Sequence, residues 1–156
     1  MKTLIVFATK HGTTREVAER IAARIEGAAI HDLKKDGSPP LDSYDCVIIG
    51  SSLYAGAIRR EAKAFMAKST NALHGKKVGL FLCGMEASGA QGFFNANFPK
   101  EILQIAKTTA FTGGIFDPQK ASAFERLVIK IVTKKSVYVN TINDSTIDQF
   151  AAAMKA

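Results

Sequence analysis

The chain predicts an α/β fold, a doubly wound parallel sheet with helices on both faces, and three observations predict it. Short apolar runs alternate with amphipathic segments from one end to the other. Those runs are continuously apolar rather than alternating, which is the pattern of strands buried on both sides. The chain's 156 residues, 47% hydrophobic and 22% charged, match one domain spanning 1–156 with a sizeable core.

The elements follow in order. Residues 4–8 form the first strand, and the helix predicted over 13–26 sets Val17, Ile21 and Ile25 at steps of four beside Ala18 and Ala22. A weaker second strand covers 28–33, and the turn residues of 34–40 make a loop. The third strand is 45–50, followed by a helix over 59–67 with Ala62, Phe65 and Met66 inward. The fourth strand is 77–83. A shorter helix over 98–107 has Pro99 in its first turn, and a fifth strand covers 109–116. The helix over 121–134 places Phe124, Leu127, Val128 and Ile131 on one face, with Arg126, Lys130, Lys134 and Lys135 around it. It reads as a core helix with a charged outer face, or as a basic helix, 124–135, in peripheral contact with an anionic membrane. The last helix, 146–155, turns Ile147, Phe150 and Ala151 inward, with Ser145 or Asp144 as its cap.

Function concentrates at the end of the first strand. Thr9, Lys10, His11, Gly12, Thr13 and Thr14 carry a buried strand directly into a helix N-terminus. The first N–H groups of a helix lack internal partners, and its dipole favours negative charge there. The threonines add hydroxyl donors, and Gly12 lets the backbone approach a ligand. The segment therefore reads as a phosphate loop. In a parallel sheet the loops after strands three and four share that edge. The second comprises Ser51, Ser52, Leu53, Tyr54, Ala55 and Gly56. The third comprises Cys83, Gly84, Met85 and Glu86 and runs on to Gly89. Tyr54 is the only aromatic residue of the three. A phosphate at the first loop and a flat ring between the other two describe a mononucleotide with a planar ring.

Other classes find little support. Cys46 and Cys83 lie far apart without CxxC spacing and read as buried free thiols of a reducing, cytoplasmic setting. His11, His31 and His74 show no ligand spacing with them, so no metal site is expected. Each apolar run falls short of the roughly 18 residues that span a bilayer, and the N-terminal apolar stretch lacks a signal-peptide cleavage pattern. The net charge of +7, with basic residues in the middle and toward the far end, favours an acidic partner or an anionic surface. No nucleic-acid motif accompanies it.

With these residues in view, the chain resembles the flavodoxin-like family, and most closely its menaquinone-dependent protoporphyrinogen oxidase group. The family's phosphate loop runs Ser/Thr-x-Thr-Gly-x-Thr; Thr9, Gly12 and Thr14 match it, while His11 replaces the middle hydroxyl. Residues 50–56 are similar to that group's second loop, and 113–118 with 124–134 to its strand-five exit and basic helix. The resemblance implies strand order 2-1-3-4-5 and FMN as cofactor. The phosphate would lie on 9–14, the isoalloxazine between 51–56 and 83–89, and Tyr54 on the ring face. It implies an FMN-dependent oxidoreductase passing electrons between an organic substrate and a quinone or protein partner. A flavodoxin-type carrier is the alternative, although such carriers are typically acidic. No side chain is assigned a catalytic role. One departure bears on the substrate: the family's loop after strand four is longer and basic, whereas 84–98 contains no Lys or Arg. A response-regulator receiver shares the fold but needs an Asp where Ser51 and Ser52 stand.

Overall fold

Six consecutive buried residues, Thr3–Ala8, form β1 and place it at the heart of a parallel sheet. The structure, a computed structural model, describes residues 1–133 and 137–156. After β1 come α1 (Thr13–Ala22), β2 (Ala29–Asp32), α2 (Leu33–Asp36), β3 (Cys46–Tyr54), β4 (Ala57–Ile58) and α3 (Arg60–Leu73). Then follow β5 (Lys77–Cys83), α4 (Ala90–Asn97), α5 (Lys100–Ile105), β6 (Ala106–Phe111) and β7 (Ile115–Phe116). The chain closes with α6 (Ala123–Thr133), β8 (Val139–Asn140) and α7 (Asp144–Lys155).

The main sheet runs β2-β1-β3-β5-β6, all neighbours parallel, with β4 folded back antiparallel on β3. With β4 set aside, this is the expected 2-1-3-4-5 order. The winding reverses between β1 and β3, so the loops leaving their C-terminal ends diverge and open a crevice.

Side-chain alternation along each strand builds two cores. Leu4, Val6, Val47, Ile49, Leu80 and Leu82 pack against Ala62, Phe65 and Met66 of α3 and Ile102 of α5. Ile5, Phe7, Ile48 and Phe81 pack on the other face against Val17 and Ile21 of α1 and Ile147, Phe150 and Met154 of α7. Each large apolar side chain so buried contributes roughly 1.5–3 kcal/mol. Arg15 pairs with the buried Asp32 at 3.0 Å, and Arg20 reaches Asp144 at 2.8 Å. These pairs tie α1 to β2 and to α7.

Several elements differ from expectation, each for a local reason. The expected helix over 98–107 is α5 alone. Pro99 lies outside it as its N-cap, and the chain turns straight into β6, which ends at Phe111 rather than 116. Gly113 at φ 79° breaks that strand, and Ile115 and Phe116 pair instead with Val139 and Asn140. The cap of α7 is Asn143, whose side chain accepts from the Thr146 N–H at 3.0 Å, rather than Ser145 or Asp144. Helix α2, which takes Leu33 from the expected second strand and the first residues of the expected loop, and helix α4 were not anticipated. In α6 the expected inward positions Phe124, Leu127 and Ile131 are instead exposed, while the Val128 side chain lies outside the described residues. Lys134 and Lys135 lie outside the described residues.

The third strand also runs on past Gly50. Ser51–Tyr54 continue β3, and Tyr54 pairs with Ala57 across a two-residue turn. Ala55 and Gly56 stand at φ 50° and 79°, the left-handed pair that a type I′ hairpin requires. Alanine is strained there by about 1–2 kcal/mol. Ala55→Asn, restoring the favoured Asn-Gly turn, therefore raises the unfolding free energy by about 1 kcal/mol in urea titrations.

Candidate functional site

The loop after β1 runs from the sheet edge into the N-terminus of α1. Gly12 adopts φ 95° as the N-cap of α1, and its N–H is held by the Thr9 hydroxyl at 2.9 Å. No side chain caps α1, so the N–H groups of its first turn remain available to an anion. Thr14 is fully buried beneath this turn.

Above the loop lies a cluster that sequence spacing did not reveal. Glu125 of α6 pairs with Lys10 and, at 2.7 Å, with His11 Nε2. Burial works to raise the Glu125 carboxyl, but the hydrogen bonds from Lys10 and His11 outweigh it and hold the group below its ordinary value. Lys10 Nζ stands 3.7 Å from the centre of the Tyr54 ring, and the Phe124 ring is 6.4 Å from Tyr54. The loop after β1, the β3–β4 hairpin and α6 thus meet at one point.

The hairpin is anchored from behind. Ser51 is buried, accepting from the Arg59 N–H at 2.9 Å, while the Asn97 amide donates to the Gly56 carbonyl at 2.8 Å. Ser52 Oγ lies buried without a hydrogen-bond partner. At the end of β5, the Gly84 N–H donates to the Gly113 carbonyl at 3.1 Å, binding the third loop to the exit of β6. Burial pushes the Cys83 thiol up to about 11, so it is a protonated group of the wall rather than a nucleophile.

Burial raises Cys46 as well. The folded chain keeps thiol protons that the unfolded chain releases, so stability falls as pH rises from about 9 toward 11. Urea midpoints above pH about 9 lie below the neutral value, and Cys83→Ala reduces that drop.

Together these walls enclose an open cavity of about 420 Å3. From the first loop, Thr9, Lys10, His11, Gly12 and Thr13 line it; from the second, Ser52, Leu53, Tyr54 and Ala55; from the third, Cys83, Gly84 and Met85. Thr14, Ser51, Gly56, Glu86 and Gly89 do not line it. Thr14 and Ser51 lie underneath, and Glu86 accepts from the Ser88 N–H at 2.9 Å. Gly89 serves as the N-cap of α4. A fourth wall was missed: Gly114, Phe116, Asp117, Lys120, Phe124, Glu125 and Tyr138. Tyr54 is therefore one of several aromatic groups around the cavity. The Gly113-Gly114 pair and Asp117-Pro118 were the available signals, marking a loop after the last strand of the same edge.

A family model described as "Flavodoxin domain" matches residues 4–141, a span that includes all four walls. The chain belongs to the flavodoxin domain family. Protoporphyrinogen IX dehydrogenase (quinone) of Escherichia coli strain K12 is 32% identical over 78 residues, 47% of this chain and 43% of that protein. The match therefore spans less than half the length of that relative. Among solved structures, the Streptococcus pneumonia TIGR4 flavodoxin superposes with a TM-score of 0.65 at 16% identity, covering 99% of this chain and 98% of that one. A Lactobacillus acidophilus NCFM flavoprotein in complex with FMN gives 0.54 at 17% identity, over 70% and 92%. At these identities the likeness establishes the flavodoxin domain's fold. Among the described residues, no helix is long and apolar enough to cross a membrane.

Proposed function

We propose that this flavodoxin domain binds FMN and serves as an oxidoreductase that moves electrons between an organic substrate and a quinone or protein acceptor. The observation that carries the reading is the uncapped N-terminus of α1, reached through left-handed Gly12, opening into a cavity with aromatic walls. The donor set fits the cofactor. Backbone N–H groups of α1 and the Thr9 and Thr13 hydroxyls suit a phosphate, and the unsatisfied Ser52 Oγ suits a polar ligand atom. Tyr54, Phe124, Tyr138 and Met85 offer flat or polarizable surface for a ring.

FMN, when bound, supplies the redox chemistry. The chain's residues orient the cofactor, exclude water from its ring and set the charge around it. Support for a substrate-oxidising role comes from the E. coli relative, named for protoporphyrinogen IX and quinone. The segment 84–98 lacks the basic residues that would meet a large acidic substrate, while Lys10 and Lys120 stand at the cavity on its other walls.

The test is anaerobic mixing of the FMN-loaded protein with protoporphyrinogen IX, followed by a menaquinone analogue. Loss and then recovery of flavin absorbance, with repeated turnover, supports the reading. Reduction by a protein donor alone, with neither small molecule reacting, would make the chain an electron carrier.

A further inference from the structure

Helix α6 presents outward a face that the other helices keep inward. Phe124, Leu127 and Ile131, at steps of three and four, are 57%, 55% and 68% exposed. Val137 and Tyr138 extend the same character just beyond the helix. Elsewhere among the described residues the exposed large apolar side chains are only Met1 and Ile30. Arg126 and Lys130 are exposed on α6, and Lys120 is exposed just before it. The single acidic residue of α6, Glu125, is turned toward Lys10 and His11.

We propose that this face docks the protein on an anionic lipid bilayer, with Leu127 and Ile131 entering the acyl boundary and Arg126 and Lys130 meeting the headgroups. An exposed apolar stripe bordered by basic residues on a convex helix is the pattern of an interfacial helix. A second copy of the chain fits the face poorly, because a two-fold contact would bring the basic residues toward one another. Phe124 and Tyr138 also line the cavity, so docking turns its mouth toward the lipid. That consequence rests on the proposed function: a lipid-soluble quinone would reach the cofactor without crossing water. Lipid binding itself does not depend on it.

The test is co-sedimentation of the full chain with phosphatidylcholine vesicles, with and without phosphatidylglycerol, at low and high salt. The protein sediments with the anionic vesicles and is released by salt. Leu127→Ser with Ile131→Ser lowers partitioning about tenfold or more, and Arg126→Gln with Lys130→Gln removes the preference for phosphatidylglycerol. Circular dichroism and FMN affinity stay unchanged in the serine variant, since neither residue lines the cavity. No binding to anionic vesicles at low salt overturns the proposal, as does wild-type binding by the serine variant. A dimer in sedimentation velocity that the serine pair dissolves would assign the face to a second copy. Lipid binding by a chain that fails to bind FMN would sink the cofactor reading and leave this one standing.

Discussion

Replacing Gly12 with valine lowers FMN affinity about a hundredfold or more, a loss of at least about 2.7 kcal/mol. The effect is conformational. A Cβ at Gly12 meets nothing within 4 Å, but the backbone stands at φ 95°. A β-branched residue held there is strained by roughly 1–3 kcal/mol. The loop relieves that strain by rotating, which turns the first N–H groups of α1 away from the phosphate. Each hydrogen bond to a charged group is worth roughly 1.5–3 kcal/mol, so losing one or two accounts for the fall. Gly12→Ala, less constrained at χ1, loses about tenfold. Quenching of FMN fluorescence during titration measures both, with circular dichroism confirming the fold. Valine affinity within threefold of wild type would show that the loop does not hold the phosphate.

Replacing Gly50 with alanine destabilises the fold by about 3 kcal/mol. Gly50 of β3 stands opposite Phe81 of β5, and the Phe81 ring occupies the space a side chain would take. A Cβ at Gly50 would fall 2.0 Å from Phe81 Cζ. The ring is fully buried among Ile48, α1 and α7, so it has nowhere to swing. Phe81→Leu alone leaves a cavity, yet in combination with Gly50→Ala it removes the collision. The double variant is therefore less destabilised than the sum of the two by about 1–2 kcal/mol. Urea unfolding of all four proteins gives this coupling. Strict additivity would mean that the two positions do not share the space described.

The sheet was legible because its signal is local. Leu4–Ala8, Cys46–Gly50 and Val78–Cys83 are unbroken apolar runs, and a parallel sheet is the arrangement that buries both faces of each. The strand–loop–helix passage at Thr9–Gly12 was legible for the same reason: its three parts are contiguous in the chain. Boundaries set by longer-range pairing were not. Periodicity gave α6 an apolar face but not its direction, which depends on the Glu125 pairs with Lys10 and His11 more than a hundred residues away in sequence. The fourth wall escaped for that reason too, since Tyr138 and Phe124 reach the cavity only once the chain beyond β6 folds back. The hairpin of Ala55 and Gly56 was hidden because alanine is an unusual occupant of a left-handed turn.

Titration of the apoprotein with FMN and, in parallel, with riboflavin addresses the central claim most directly. FMN binds with one-to-one stoichiometry and quenches, while riboflavin, lacking the phosphate, binds at least about a hundredfold more weakly. Equal affinity for the two, or no binding of either, would contradict the assignment of the β1–α1 loop as the seat of the phosphate.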